Sequence, residues 1–239
     1  MLRRFCMIKH ESKKQKTIGL ISIGQSKNSE LIDEIEGVLD KSIKIKRIGI
    51  LDSYNREEII EKFRLDNPHR LLISTLDDGT EVVMNEEIVI DEVQRCINQI
   101  EDSVDLMLLL CTSEFPRLNA NKPLIIPNEV LHEVVKNFAQ ESDKIGVVVP
   151  DHGQIEHCKK SWIKIGLNPI VKSIPPYSHK NKLMEVANAF KFENNLNLIV
   201  LDCMGYTAEM ETLLREETGK TVILSRASIA YKVKELIYF

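Results

Sequence analysis

The chain has 239 residues, of which 43% are hydrophobic and 28% are charged, and its formal net charge is −4. This composition is that of an ordinary globular protein, and the length allows one large domain or two small ones. The mild negative charge argues against a nucleic acid partner, which would require a basic face. No apolar run is long enough to span a bilayer or to form the core of a signal peptide, so we expect no membrane partner.

The first sixteen residues are rich in lysine and arginine, and Glu11 is their only acidic residue. Chain ends of this kind are usually solvated, so residues 1–16 are predicted to form a basic flexible tail. The five cysteines show neither CxxC pairs nor Cys/His metal spacing. The sequence therefore predicts free thiols in the cytoplasm, with no bound metal.

Short apolar runs alternate with amphipathic segments along the rest of the chain, which predicts a parallel sheet with crossover helices. The predicted strands are residues 18–23, 45–51, 104–110, 124–126, 145–149, 169–174, 196–201 and 222–224. The predicted helices, with apolar residues at i, i+3, i+4 spacing, are residues 30–39, 86–100, 130–140, 154–165, 180–192, 208–218 and 228–237.

One segment departs from this alternation. Residues 71–76 and 80–84 are two apolar runs joined by Asp77, Asp78 and Gly79. An Asp-Gly pair favours the positive φ angles of a tight hairpin turn. We therefore expect a β-hairpin inserted in the first half of the chain.

Three landmarks recur in the same order in the two halves of the chain. KTIG at residues 16–19 resembles KIG at 144–146, LLLCTS at 108–113 resembles VLDCMG at 200–205, and KPLII at 122–126 resembles KTVIL at 220–224. A shared order of landmarks indicates an internal repeat. The alternative is chance likeness, because buried parallel strands share a composition.

The predicted fold class is α/β, with two pseudo-symmetric halves that are each a short, mostly parallel sheet flanked by helices. The first half is predicted to span residues 17–127, to contain the hairpin and to be completed by the C-terminal helix, residues 226–239. The second half is predicted to span residues 128–225.

Cys111 and Cys203 each follow an apolar strand, at the carboxyl end where open α/β sheets bind ligands. Cys96 and Cys158 lie inside predicted helices and suit a packing role. A packing role would also suit a single cysteine at a strand end. The equivalent placement of Cys111 and Cys203 in the two halves favours a functional role for this pair over a packing role. The N–H groups and dipole at the start of a following helix would lower a thiol pKa. Two facing thiols would then act as base and acid on opposite sides of a carbon.

Further polar residues follow the other strands. Gln25 and Ser26 come after the first strand, Asp151 after its counterpart in the second half, and Arg226 after the last strand. Ser26 and Asp151 equally suit helix N-caps, and Arg226 would pair either with a substrate carboxylate or with a surface acid. Asp202 directly precedes Cys203, so its side chain is expected on the opposite face, in an orienting or structural role.

These residues give the chain a resemblance to the AroM family, within the aspartate/glutamate/hydantoin racemase superfamily, over roughly residues 17–237. It is carried by TIGLISIGQS, the hairpin, LMLLLCTS, IGVVVP, LIVLDCMGY and VILSRASIA. The resemblance implies an enzyme without cofactor, in which Cys111 and Cys203 abstract and return the proton next to a carboxylate or carbonyl. It also implies that the substrate is surrounded by Ser26, Thr112, Ser113, Gly205 and Tyr206.

The chain also departs from the amino-acid racemases. Those enzymes usually have an acidic residue after the first strand, where this chain has Gly24, Gln25 and Ser26. They usually have Thr and His after the second cysteine, where this chain has Met204 and Gly205. The resemblance therefore does not extend to recognition of an α-amino acid.

The sequence thus predicts a racemase, isomerase or decarboxylase that acts on a small carboxylate-bearing molecule through two cysteines. The alternative is a non-catalytic sensor that binds a small carboxylate on the same fold. A thiol-redox role is disfavoured, because redox pairs are usually adjacent or CxxC and these cysteines lie in separate halves. A homodimer is compatible with the sequence, which does not specify the oligomeric state.

Overall fold

A computed structural model of the protein describes residues 15–27, 29–64, 71–176 and 180–238. Its strands are β1 (Thr17–Ser22), β2 (Lys44–Gly49), β3 (Leu71–Thr75), β4 (Glu81–Asn85), β5 (Leu106–Leu109), β6 (Leu124–Ile125), β7 (Lys144–Val149), β8 (Asn168–Ser173), β9 (Leu196–Leu201) and β10 (Thr221–Leu224). Its α-helices are α1 (Ser29–Val38), α2 (Arg56–Lys62), α3 (Glu86–Ile100), α4 (Pro127–Lys136), α5 (Ile155–Lys164), α6 (Lys180–Lys191), α7 (Ala208–Thr218) and α8 (Ser225–Ile237). Of the predicted tail, residues 1–14 lie outside the described residues.

The two large sheets have the same topology. The first has the strand order β2-β1-β5-β6 and the second has the order β10-β9-β7-β8. Every pairing within them is parallel. Strands β1, β2, β5 and β6 therefore correspond to β7, β8, β9 and β10, which confirms the two pseudo-symmetric halves. Since parallel strands end at the same edge, the residues after β5 and β9 take equivalent positions.

The glycines of the repeated KTIG and KIG landmarks have a packing role. A Cβ atom on Gly19 would lie 2.7 Å from Cδ1 of Ile100 in α3, and one on Gly146 would lie 3.1 Å from the Phe190 ring in α6. Helices α3 and α6 occupy equivalent places, each leading into the cysteine-bearing strand of its half. The landmark thus specifies the same close helix–strand contact in both halves.

Each large sheet is covered on both faces by apolar side chains. The hairpin and α3 cover one face of the first sheet, and α1 and α8 cover the other. In the second sheet, α6 and α7 cover one face and α4 and α5 the other. Helix α8 contributes Ile229 and Val233 to the cluster that contains Ile18 and Leu20, so the C-terminal helix packs on the first sheet. Full burial of such a side chain stabilises by about 1.5–3 kcal/mol.

The predicted hairpin is confirmed in β3 and β4, which pair antiparallel from Leu71↔Asn85 to Thr75↔Glu81. Gly79 in its turn has a φ of 83°, as the Asp-Gly pair indicates. Helix α2 was missing from the sequence prediction. It has only seven residues, and a capping box between Asn55 and Glu58 marks its start. Within the described residues, no helix has the length and apolar character needed to cross a membrane.

Candidate active site

The carboxyl ends of β5 and β9 open into one cavity of about 190 Å³ that both Cys111 and Cys203 line. The carboxyl ends of parallel strands are where open α/β sheets bind ligands. Strand β3 of the hairpin forms part of the wall, from Leu71 to Thr75. The side-chain amide of Gln154 donates a hydrogen bond to the Leu71 carbonyl at 3.4 Å, which ties the hairpin to the second half.

Burial governs the ionisation of both thiols. It raises the pKa of the Cys111 thiol to about 11, against smaller lowering effects of hydrogen bonds from Ser113. It raises the pKa of the Cys203 thiol to about 12, although the Gly205 N–H donates to its Sγ at 3.4 Å. The charge of Cys111 further raises the pKa of Cys203, since the two residues lie near each other. Both thiols are therefore protonated in the free protein at neutral pH.

This result corrects the expectation of acidic thiols at helix N-termini. Cys111 is followed by a loop that leads to β6, with no helix before residue 124. Cys203 is followed by a turn, and α7 begins only after its N-cap residue Thr207. The local N–H donors are present, but desolvation of the buried sulfurs outweighs them.

Arg226 brings the fixed positive charge to the cavity. It lies in the first turn of α8, is 3% exposed and lines the cavity. Its guanidinium forms an ion pair with Glu34 at 2.5 Å. Its charge also lowers the pKa of Cys203, in opposition to burial. Of the two alternatives raised by the sequence, the structure shows the ion pair with an acid of the chain itself. Arg226 also lines the cavity, and its pairing with a substrate carboxylate stays a prediction.

Asp202 is a cavity residue that sequence reasoning treated as secondary. Its Oδ2 atom accepts hydrogen bonds from Nε1 of Trp162 at 3.1 Å and from Sγ of Cys158 at 3.9 Å. Burial raises the pKa of this carboxyl to about 6, while Trp162, Thr112 and Cys158 lower it. Asp202 points towards α5, as the alternation along β9 predicts, whereas Cys203 packs with the cluster on the other face.

A model of the AroM family, described as AroM protein, matches residues 18–237. The chain belongs to the AroM family. The match covers both cysteine strands and every residue of the cavity described above, and it confirms the resemblance drawn from the sequence motifs. No protein with a curated description matches the chain.

Solved structures with the fold of this AroM protein include enzymes that act on small carboxylates. A variant of arylmalonate decarboxylase is 13% identical, with a TM-score of 0.59 and coverage of 93% of each chain. Glutamate racemase from Aquifex pyrophilus is 14% identical, with a TM-score of 0.57 and coverage of 92% of this chain and 83% of that one. A Nocardia farcinica maleate cis-trans isomerase, solved as a cysteine-to-serine variant with a covalently bound succinylcysteine intermediate, is 12% identical, with a TM-score of 0.58 and coverage of 94% and 93%. At these identities the likeness shows the fold.

The structure brings together most of the site residues predicted for the AroM protein. Besides the two cysteines and Arg226, the cavity is lined by Thr112, Ser113 and Gly205. Gly205 is closely confined, since a Cβ atom there would lie 3.0 Å from Cγ of Pro176 and 3.6 Å from Sγ of Cys203. A larger residue at this position would press on the ring and on the thiol.

Four predicted binding residues do not line this cavity. The Gln25 side chain accepts a hydrogen bond from the Asp77 N–H at 2.8 Å, which holds the hairpin turn. The Ser26 N–H donates to Asp52 at 2.8 Å. Asp151 caps the short helical turn at residues 152–154 through the Gly153 N–H. Tyr206 is fully buried and donates its hydroxyl proton to the Ile174 carbonyl at 2.8 Å.

The site predicted from the sequence did not include several other polar residues that line the cavity. Helix α5 contributes His157, Cys158 and Ser161, although Cys158 was expected to have a packing role only. Their spacing along α5 places Cys158 and Ser161 on one face, and this face could have been read from the sequence. Further lining side chains come from Ser22, Ser74, Glu81, Glu86, Glu114 and Asn128. Within the described residues, no group of three or more His, Cys, Asp or Glu side chains is arranged to hold a metal ion.

Proposed function

We propose that the AroM protein is an enzyme that moves a proton at a carbon next to a carboxylate of a small substrate. Cys111 and Cys203 would be its acid–base pair. The observation that carries this proposal is the meeting of two equivalent cysteines, one from each half, in one small cavity. Proton transfer on opposite sides of one carbon needs groups that approach from two sides, and paired halves provide them.

The chemistry named for similar structures supports this class of reaction. Racemisation of glutamate and decarboxylation of an arylmalonate both pass through negative charge next to a carboxylate. The succinylcysteine in the maleate isomerase is a bond between a cysteine and a carbon of the substrate. A cysteine beside the reacting carbon can serve reactions of this class, and the cavity of the AroM protein is lined by two.

The electrostatics of the thiol pair favour a single ionisation. A thiol with a pKa of about 11 is ionised in on the order of one molecule in ten thousand at pH 7. The charge of one thiolate raises the pKa of the other thiol, so the second stays protonated. In that ionised fraction, the pair would hold one base and one acid at the same time. The N–H groups of Ser113 and Gly205 and the charge of Arg226 would stabilise the anionic member.

Arg226 is the proposed binding group for the substrate carboxylate. A guanidinium presents a planar set of N–H donors that matches a carboxylate in geometry and charge. Glu34, its partner in the ion pair, has a side chain that is 41% exposed, and water there weakens the hold of Glu34 on the guanidinium. A substrate carboxylate in the cavity would therefore share Arg226 with Glu34.

The experiment is deuterium exchange in D₂O with a chelator and no added cofactor, using glutamate, phenylmalonate and maleate as probes. The wild-type protein should place deuterium at the carbon beside a carboxylate, as measured by mass spectrometry. Cys111→Ser and Cys203→Ser should each lower the rate by about a thousandfold, because serine is too weak an acid to replace the thiol. Cys96→Ser is the matched control, since Cys96 is buried away from the cavity and its replacement should leave exchange unchanged. Wild-type exchange in both cavity variants would show that these cysteines only pack.

The raised thiol pKa values favour one other candidate, a non-catalytic protein that binds small carboxylates. Such a protein would use Arg226 and keep both thiols protonated. It would bind a probe measurably in calorimetry and show no exchange even in the wild type. The same set of probes therefore separates the two functions.

A further inference from the structure

The carboxyl of Asp202 connects the two strand ends that carry the cysteines. Asp202 directly precedes Cys203 after β9, and Thr112 directly follows Cys111 after β5. The Thr112 hydroxyl donates a hydrogen bond to the Asp202 carboxyl. Nε1 of Trp162 in α5 donates another to its Oδ2 atom at 3.1 Å. One carboxyl thus joins the strand end of the first half to that of the second half and to α5.

This carboxyl is held on the far side of the strand from the second thiol. The Asp202 side chain points towards α5, whereas Cys203 packs with the cluster on the other face of the sheet. Asp202 as a whole is 9% exposed, and its Oδ1 atom is buried. A group in this position acts on the thiols through its charge and through the residues that it holds, and not by contact with a ligand.

The fold itself does not require a carboxyl at this position. The equivalent residue in the first half is Leu110, which also directly precedes the cysteine. Leu110 packs among the apolar side chains of its sheet. A leucine therefore completes an equivalent strand end, and the acid at residue 202 brings a charge that packing alone does not need.

The charge of Asp202 reaches both thiols. It raises the pKa of Cys111 and that of Cys203, in the same direction as burial. Two further charges face the pair, since Glu86 of α3 raises the pKa of Cys111 and Arg226 of α8 lowers that of Cys203. The other ionisable side chains among the described residues of the cavity lining are Glu81 of β4, Glu114 of the loop between β5 and β6, and His157 and Cys158 of α5.

We propose that Asp202 is a positioning residue that bridges the two cysteine strands through Thr112 and, by its negative charge, suppresses the ionisation of both thiols in the free protein. The inference rests on the proposed function, because it concerns the acid–base pair of that reaction. Burial raises the pKa of the Asp202 carboxyl to about 6, so its charge is present at pH 8 and mostly absent at pH 5. A protonated thiol is a poor nucleophile, so the charge protects the pair from electrophiles and oxidants.

Methyl methanethiosulfonate, a small neutral reagent that thiolates attack, provides a test without substrate. Mass spectrometry of the peptides gives separate reaction rates for Cys111 and Cys203. Asp202→Asn removes the charge and keeps an oxygen acceptor for Trp162. At pH 8 both cysteines of this variant should react at least about tenfold faster than in the wild type, because a nearby buried charge shifts a thiol pKa by about one unit or more. At pH 5 the rates of the two proteins should agree within about twofold.

Asp105→Asn is the matched control. Asp105 lies at the opposite end of its sheet, where it accepts the Thr17 N–H at 2.8 Å, so this variant should react at the wild-type rates. Cys96 is an internal control, since it is buried away from the cavity and its rate should be the same in all three proteins. All three proteins also retain His157, so its titration cancels when their rates are compared.

Equal rates of the wild type and Asp202→Asn at pH 8 would overturn this inference. So would an acceleration that is the same at pH 5 and pH 8 or that extends to Cys96, because either would indicate a loosened structure and not a lost charge. These results would leave the proposed function standing. An acceleration at both cavity cysteines that is confined to high pH, combined with no deuterium exchange for any probe, would support the charge effect of Asp202 and overturn the proposed enzyme.

Discussion

The two halves of the AroM protein share a strand order but differ in the residues around their cysteines. Leu110 precedes Cys111 and lies in an apolar cluster, whereas Asp202 precedes Cys203 and binds Trp162 of α5. Three positions after each cysteine, Glu114 lines the cavity, whereas Tyr206 is buried away from it. The repeat thus places two thiols symmetrically and gives each a different polar environment.

The connections differ as well. The first half passes from β5 to β6 through a loop, whereas the second half has α7 between β9 and β10. The first half also contains the hairpin, and its strand β3 covers the cavity. The first half therefore supplies the cover of the site, and the second supplies the buried acid. The two walls of the cavity are therefore chemically different.

The largest effect on stability is expected when Leu110 of the first half is replaced by aspartate, the residue that the second half has at the equivalent position. Leu110→Asp would bury a carboxyl among apolar side chains without a donor like Trp162. We expect the free energy of unfolding to fall by about 4 kcal/mol, as measured by urea denaturation. Leu110→Met keeps the volume and apolar character, and it should cost less than about 1.5 kcal/mol. A loss from Leu110→Asp no greater than that from Leu110→Met would show that both strand ends accommodate an acid.

The carboxyl at residue 202 should make stability depend on pH. Burial raises its pKa from 3.8 to about 6, so the neutral form favours the folded state. This stabilisation is complete below pH 3.8 and is lost as the pH rises through 6. Relative to Asp202→Asn, the wild type should therefore lose about 3 kcal/mol of unfolding free energy when the pH rises from 3.5 to 7.

Urea titrations of both proteins at pH 3.5, 5 and 7 measure this shift. Subtracting the unfolding free energy of the variant from that of the wild type cancels the contribution of the other titrating groups. A difference that stays constant with pH would show that Asp202 titrates as an exposed carboxyl does. The first half, with Leu110 at this position, has no counterpart of this titration.

Tyr206 should prove to be a structural residue, unlike its counterpart Glu114. Tyr206→Phe removes the hydrogen bond to the Ile174 carbonyl and leaves that oxygen without this donor. We expect a loss of about 1–2 kcal/mol in thermal or urea unfolding. No loss of stability would indicate that the hydroxyl is available for another role.

The smallest effect is expected at the hairpin, which only the first half contains. Gln25→Ala removes the acceptor for the Asp77 N–H in the hairpin turn. The loss should be about 0.5–1 kcal/mol in urea unfolding, because this contact is exposed to water. Gln25→Glu keeps a carbonyl-type acceptor and should retain most of the stability. Equal losses in the two variants would mean that the contact depends on the amide N–H₂ group.

The sequence by itself determined the scaffold of this protein. Apolar runs marked the strands, the recurrence of KTIG, LLLCTS and KPLII marked the two halves, and Asp-Gly marked the hairpin turn. These features depend on local periodicity and on backbone angles, which short segments encode. The same alternation placed Asp202 and Cys203 on opposite faces of β9, as the structure has them.

Only the tertiary structure decided the state and the neighbours of the polar groups. The thiols of Cys111 and Cys203 were expected to be acidic, but burial by both halves raises their pKa values. Gln25 and Asp151 follow strand ends as predicted, yet they bind nearby backbone N–H groups outside the cavity. Asp202 accepts a hydrogen bond from Trp162, which is forty residues away in the sequence. The desolvation of a polar group and its hydrogen-bond partners depend on residues from distant segments, so no local pattern encodes them.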